Sequence, residues 1–75
     1  MDALQERLVE NIKKQAEKKS ILLTHLPDRA GVSRSHFWQV VRGNKSPTVK
    51  WVAKIAAALE CDPGILFAAP KPERR

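Results

Sequence analysis

The segment 33–43, SRSHFWQVVRG, carries the polar side chains with the clearest chemical use. Arginine can donate two parallel hydrogen bonds to guanine O6 and N7, glutamine can pair with adenine N6 and N7, and serine can bond to several base edges. These three types occur here as Arg34, Gln39 and Ser35, and helical periodicity would place them on one face. The segment therefore predicts a surface able to read the bases of duplex DNA.

Two residues mark the ends of a helix over this segment. Ser33 is a good N-cap, and Gly43 can end the helix in the left-handed conformation. Phe37, Val40 and Val41 fall at i, i+3 and i+4 and predict a buried stripe. The side chains predicted to point the other way, with no carboxylate among them, are Arg34, Ser35, Trp38, Gln39 and Arg42.

The charge distribution also favours a polyanionic partner. The 75-residue chain has a formal net charge of +6 and contains no acidic residue from Arg29 to Leu59. A basic patch of this kind is typical of nucleic-acid-binding domains. The six positive charges in that stretch are Arg29, Arg34, Arg42, Lys45, Lys50 and Lys54.

No residue pattern indicates catalysis, a metal or a cofactor. The three glycines are scattered, and there are no paired carboxylates and no nucleophile with a neighbouring base. His25 and His36 lack a third ligand nearby in the sequence, so they do not predict a zinc site. Cys61 is the single cysteine, which excludes an intramolecular disulfide and predicts a small core residue in a reducing compartment. We expect a protein that is not an enzyme.

The length predicts one small domain, over residues 1–69, followed by a basic, Pro-rich and disordered tail at 70–75. No apolar run is long enough to cross a bilayer, and the start of the chain lacks the pattern of a signal peptide. We therefore expect a soluble, cytoplasmic protein with no membrane partner.

Before segment 33–43 the sequence predicts two helices. Helix 1 runs from Asp2, as its cap, to about Lys19, with apolar residues at successive i+4 spacings. Helix 2 is expected to be short, from about His25 to Ala30, with Thr24 as its N-cap. In that register Pro27 falls in the first turn, where its missing amide hydrogen would have had no partner anyway.

Two more helices are predicted after Gly43, and no strand. Thr48 should cap helix 4, following a loop. Its apolar face is predicted to contain Val49, Val52, Ala53, Ile55, Ala56 and Leu59. Asp62 and Pro63 supply a cap and first residue for a short helix 5 that ends near Phe67. Trp51 is expected in the core or at a dimer contact.

Several of these residues together carry a family resemblance over roughly Leu8 to Phe67. They are Ala30-Gly31-Val32-Ser33, Arg42-Gly43, Pro47-Thr48, the run Ile55-Ala56-Ala57-Ala58-Leu59 and the closing Ile65-Leu66-Phe67. In this order and spacing the chain resembles the lambda-repressor-like (Cro-type, XRE-like) helix-turn-helix family. The resemblance implies an all-α, compact five-helix domain in which helices 2 and 3 form the helix-turn-helix. It also implies a homodimer that binds a palindromic operator, with helix 3 in the major groove.

The resemblance assigns roles to individual positions. The residues implied to read bases are Arg34, Ser35, Trp38 and Gln39. Those expected to hold phosphates are Ser33, Arg42, Asn44, Lys45, Ser46 and Lys50. Ile65, Leu66 and Phe67 are predicted to close the core or to form the dimer contact.

The chain departs from the family pattern at three places. Many members begin helix 2 with a phosphate-binding Gln, where this chain has Leu23, and Pro27 occupies a usual mid-helix position. An Arg and a Glu that often form a buried ion pair are replaced by Ala16 and Val41, which we expect to pack near each other.

The predicted function is that of a sequence-specific, dimeric, DNA-binding transcriptional regulator. An alternative from another class is a protein-interaction module or antitoxin-type regulator that uses the same fold. A nonspecific, nucleoid-type DNA binder is a third, less favoured alternative, since Ser35 and Gln39 suit base edges better than phosphates. Trp38 is expected either to contact a thymine methyl or the sugar-phosphate wall, or to cover a gap beside a neighbouring helix or subunit.

Overall fold

A computed structural model describes residues 2–68, and within that range the chain is all-helical, as the sequence predicts. A 3-10 turn at Leu23–His25 precedes the second helix. The five helices are α1 (Ala3–Lys18), α2 (Leu26–Ala30), α3 (Arg34–Val41), α4 (Val49–Ala58) and α5 (Pro63–Leu66). The tail predicted at 70–75 lies outside the described residues.

Four helices begin at the capping residues that the sequence predicts. In each case a side-chain oxygen accepts a hydrogen bond from an amide in the first turn, which would otherwise have no partner. The four bonds are Asp2 Oδ1 from Gln5 N at 2.8 Å, Ser33 Oγ from His36 N at 3.2 Å, Thr48 Oγ1 from Trp51 N at 3.0 Å, and Asp62 Oδ1 from Gly64 N at 2.7 Å.

The predicted start of α2 is wrong in one detail. Thr24 does not cap the helix, because it lies inside the 3-10 turn that leads directly into α2. The residue at the cap position is His25, whose backbone is already helical (φ −93°, ψ −11°) and whose side chain makes no capping bond. Pro27 does lie in the first turn, as expected, and Gly31 ends α2 with φ +71°.

One apolar core joins all five helices. Phe37 of α3 is the largest fully buried side chain, and Trp51 of α4 packs beside it with ring centroids 6.0 Å apart. Ala16 also belongs to this core, and Val41 is a partly buried residue that packs against the core. The remaining core members are Leu8, Ile12, Leu26, Val40, Val52, Ile55, Ala56, Leu59 and Leu66. Full burial of a valine, leucine, isoleucine or phenylalanine side chain contributes about 1.5–3 kcal/mol to stability.

The predicted apolar face of α4 is only partly buried. Val49 is 88% exposed and Ala53 is exposed, so these two residues do not belong to the core. On α1, Leu4 is likewise 54% exposed. All three residues instead line an open groove between α1, α4 and α5, because no element of the described chain covers that side of α4.

Polar side chains of α1 and its C-cap hold the C-terminal ends of three other helices. Gln5 Nε2 donates to Val40 O at 3.0 Å, Asn11 Nδ2 donates to Leu66 O at 2.8 Å, and Lys19 Nζ donates to Leu59 O at 3.0 Å. The last carbonyls of a helix lack their regular partner within the helix. The side chains of α1 and its C-cap supply a donor to Leu66 O and Leu59 O, and a further donor to Val40 O, which also accepts from Gly43 N at 3.0 Å. The helix α1 therefore supports the other helices through hydrogen bonds as well as through apolar contacts.

None of the helices in residues 2–68 combines the length and the apolar character needed to cross a membrane.

Candidate functional site

The outer face of α3 presents the polar residues that the sequence predicts there. Arg34, Ser35 and Arg42 are exposed, and Gln39 is half-buried. Gln39 Nε2 donates a long hydrogen bond of 3.3 Å to Ser35 Oγ, one helical turn away. The bond links two side chains of the outer face without drawing either into the core. Their remaining donors and acceptors are available to a ligand.

A carboxylate lies beside this face, which the sequence analysis did not anticipate. Asp28 of α2 accepts two hydrogen bonds from Arg34, from Nε to Oδ1 at 3.2 Å and from Nη2 to Oδ2 at 2.6 Å. The hydrogen bond from Arg34 lowers the pKa of Asp28 below its ordinary value, so the carboxylate is charged at neutral pH. The same bond raises the pKa of Arg34.

The sequence places Asp28 close to this face, although it does not reveal the pair. Asp28 stands directly before the acid-free stretch that begins at Arg29, and six positions before Arg34. The left-handed turn at Gly31 folds α2 back toward the start of α3, which brings the two side chains together.

Trp38 lies closer to the core than predicted. Its side chain is half-buried and packs edge-on against Phe37, with ring centroids 5.1 Å apart and an interplanar angle of 87°. This is a favourable geometry for aromatic rings. Part of the indole therefore covers the core, and only the remainder belongs to the outer face.

His36 lies on the side of α3 that faces α4. Its ring stacks on Trp51 with centroids 6.2 Å apart. His36 Nε2 and Trp51 Nε1 are both buried and have no hydrogen-bond partner within the described part of the chain. Because His36 Nε2 is shielded from solvent, it is not a member of the exposed site.

The loop after α3 combines a fixed backbone with exposed side chains. Asn44 N donates to Gln39 O at 2.8 Å, and Lys45 O accepts from Gln5 Nε2 at 2.8 Å. Gly43, with φ +86°, allows the chain to leave α3 along this path. The side chains of the predicted phosphate-binding residues here are all exposed, namely Arg42, Asn44, Lys45 and Ser46.

The other two residues predicted to hold phosphates lie at the N-cap of α3 and on the first turn of α4. Ser33 is exposed, and its hydroxyl accepts the capping bond from His36 N, which leaves its proton free to donate. Lys50 is exposed on the first turn of α4. With Lys54 it borders a small cavity of about 150 Å³. The cations of the acid-free stretch thus border both the loop and the start of α4.

The predicted dimer residues divide into two groups. Leu66 is fully buried, so it closes the core and offers no surface to a second subunit. Ile65 and Phe67 are 43% and 37% exposed. Phe67 also borders a cavity of about 410 Å³, which we call the apolar groove. The apolar residues lining this groove include Leu4, Pro47, Val49, Ala53, Pro63 and Phe67.

The described residues contain no cluster of three or more His, Cys, Asp or Glu side chains that could hold a metal ion. Cys61 is half-buried, and burial raises the pKa of its thiol, so it is a poor nucleophile at neutral pH.

No model of a known protein family matches the chain, and no curated protein matches its sequence.

Proposed function

We propose that the protein is a sequence-specific DNA-binding transcriptional regulator, in which α2 and α3 act as a helix-turn-helix. The observation that carries this proposal is the outer face of α3, where Arg34, Ser35 and Gln39 expose hydrogen-bonding groups beside a fixed, cationic loop. Side chains able to bond to base edges thus lie next to cations able to neutralise DNA phosphates, on one surface.

The dimensions of α3 agree with this role. An α-helix with its side chains is about 10–12 Å wide, and the major groove of B-DNA is about 12 Å wide. The eight residues of α3 span about 12 Å along the helix axis. The helix can therefore place Arg34 and Gln39 against neighbouring base pairs.

The phosphate contacts would come from the ends of α3, the loop and the start of α4. Arg42, Lys45 and Lys50 provide the charge, while Ser33 and Asn44 provide neutral donors. Such contacts position a protein on the duplex and release counterions, so they make affinity salt-dependent. Because Gln5 fixes the loop backbone at Lys45, the backbone of the loop would lose little freedom on binding.

A palindromic operator requires two copies of α3, about 34 Å apart in successive major grooves. We propose that the protein binds as a homodimer through the surface that includes Ile65 and Phe67. These exposed apolar side chains lie at the end of α5, where a second copy could cover them.

Selection of preferred sites from random duplex DNA tests the proposal. We expect a palindromic site, and an affinity that falls about 1,000-fold or more between 50 and 200 mM salt. Failure to bind any duplex at 50 mM salt would exclude DNA binding. Binding with no sequence preference would instead favour the nonspecific alternative.

The dimer contact has its own test, by sedimentation equilibrium. Phe67→Glu places a charge in the proposed contact, and we expect it to convert the dimer to a monomer. Leu22→Glu is the matched control, because Leu22 is also an exposed apolar residue, at 64%, but lies before α2. A dimer that survives Phe67→Glu would have its contact elsewhere.

The apolar groove favours a second candidate function, that of a protein-interaction module. A groove lined by Leu4, Val49 and Phe67 suits the apolar face of a partner helix. Val49→Asp should then abolish binding of amphipathic helical peptides selected on the wild-type protein, whereas Lys45→Ala should not. If no such peptide can be selected, this second function is excluded.

A further inference from the structure

The ion pair between Asp28 and Arg34 leaves one edge of the arginine head group unoccupied. A guanidinium has five N–H groups, one on Nε and two on each terminal nitrogen. Asp28 takes the Nε hydrogen at 3.2 Å and one Nη2 hydrogen at 2.6 Å. Both Nη1 hydrogens and the second Nη2 hydrogen remain. The free edge therefore still presents two parallel donors.

These two parallel donors match a guanine. Arginine reads guanine by donating to O6 and N7 at the same time, which needs two N–H groups side by side. The Nη1 and Nη2 edge satisfies this requirement while Asp28 holds the neighbouring edge, formed by Nε and Nη2. A single guanidinium can thus bond to a carboxylate along one edge and to a base along the next.

Stability alone does not account for the pair. The Arg34 and Asp28 side chains are 66% and 58% exposed, and surface ion pairs contribute little to folding. The pair does, however, restrict the long and flexible Arg34 side chain before any ligand arrives. A side chain already held in its bound orientation loses less entropy on binding.

We infer that Asp28 is a positioning residue, which orients Arg34 so that the free Nη1 and Nη2 edge of the guanidinium faces a guanine. Asp28 thereby contributes to base specificity. This inference rests on the proposed DNA-binding function. The charge of Asp28 would have a second effect, because a carboxylate near the duplex repels phosphates. Asp28 therefore raises the specific affinity relative to the nonspecific affinity by two routes.

The variant Asp28→Asn removes the group that orients Arg34 while nearly preserving the shape of the side chain at position 28. Asparagine has nearly the same size, but it carries no charge and has one oxygen where aspartate has two, so it cannot accept the Nε and Nη2 hydrogens of Arg34 on separate oxygens. The measurement is the affinity for the selected site, for the same site with the guanine replaced, and for unrelated duplex. Wild-type protein should favour guanine by about 5- to 150-fold at that position.

We expect Asp28→Asn to bind unrelated duplex more tightly than the wild-type protein does. Its preference for guanine should fall toward that of Arg34→Ala. The double variant should lose no more preference than Arg34→Ala alone. Asp28→Glu, which restores the carboxylate, should recover part of the preference. Thermal unfolding should change little, because both side chains are exposed.

Glu10→Gln is the matched control, since it makes the same change in net charge at an exposed position of α1. An Asp28→Asn protein that binds every sequence more tightly, like Glu10→Gln, and keeps its guanine preference would overturn the positioning role. So would an increased guanine preference, which would mean that Asp28 masks Arg34. Failure of the wild-type protein to bind any duplex would instead overturn the proposed function itself.

Discussion

Two helices of this domain carry the same polar residue types and use them in opposite ways. On α1, Gln5 is 8% exposed and its amide donates to two backbone carbonyls from distant parts of the chain. On α3, Gln39 is half-buried and its amide bonds to Ser35, one turn away. Residue type alone therefore does not reveal the role of a side chain. The role follows from whether the side chain meets unsatisfied backbone groups or solvent.

The comparison extends to the charged residues. Lys19, at the end of α1, donates to the carbonyls of Leu59 and Glu60 and so ties two segments together. On α3, Arg34 bonds to the carboxylate of Asp28, and both side chains remain exposed. The polar groups of α1 and its C-cap that bond to other helices are therefore committed to the fold, whereas those on the outer face of α3 remain accessible to a ligand.

The largest expected effect comes from removing Gln5. Gln5→Ala leaves Val40 O without its side-chain donor and takes away the bond that fixes Lys45 O. We expect a loss of about 3 kcal/mol in the free energy of unfolding. Thermal unfolding followed by circular dichroism measures it. Gln39→Ala, the matched control, should cost less than about 0.5 kcal/mol. Equal losses in the two variants would remove the distinction between the helices.

The next effect concerns DNA affinity rather than stability. Arg34→Ala should cost about 2 kcal/mol at the selected site and relax the preference at one base position. Lys45→Ala should weaken binding to all sequences alike and lower the salt dependence, because it removes a proposed phosphate contact. Competition binding on a set of single-base variants measures both. An Arg34→Ala protein with equal losses on every sequence would remove Arg34 from the base-reading residues.

A smaller effect should come from the cap of α3. Ser33→Ala removes the acceptor for His36 N, and we expect a loss of about 1 kcal/mol in unfolding free energy. Ser35→Ala, on the outer face of the same helix, should be close to neutral. Urea denaturation of both variants gives the two values. If Ser35→Ala is the more destabilising change, the hydroxyl of Ser35 has a structural role that its 3.3 Å bond from Gln39 does not indicate.

The smallest effect is the pH response of the Asp28 and Arg34 pair. The hydrogen bond from Arg34 lowers the pKa of Asp28 in the folded state, so the pair stabilises the fold above the ordinary value of 3.8. That contribution is lost as the pH falls through the lowered pKa. Carbon NMR of the Asp28 carboxyl should give a midpoint below 3.8. The midpoint should rise in Arg34→Ala. An unchanged midpoint would mean that Arg34 does not lower the pKa of Asp28.

The success of the sequence predictions depended on distance along the chain. The caps at Asp2, Ser33, Thr48 and Asp62 were predicted because each bond spans only two or three residues. The buried Phe37 and Val40 followed from helical periodicity for the same local reason. Thr24 was predicted wrongly as a cap, because the local pattern did not reveal the 3-10 turn that continues into α2.

The predictions that depended on packing were less accurate. Val49 fits the apolar pattern of α4, yet it is exposed because nothing in residues 2–68 covers that side of the helix. Leu66 and Phe67 are both apolar and adjacent, and only the direction of α5 places one in the core and the other at the surface. Periodicity identifies an apolar face but does not say what lies opposite to it.

Local sequence was enough to predict the five helices of the described chain, the residues at which most of them begin, and the polar and basic residues of α3. These properties arise from hydrogen bonds and side-chain spacings within one or two helical turns. The bond by which Gln5 supports the end of α3, 35 residues away, and the pairing of Asp28 with Arg34 across a turn depended instead on how the helices pack. Such bonds form only when separate helices are brought together by the burial of a shared core, and no local pattern encodes which distant carbonyl or carboxylate will lie within reach.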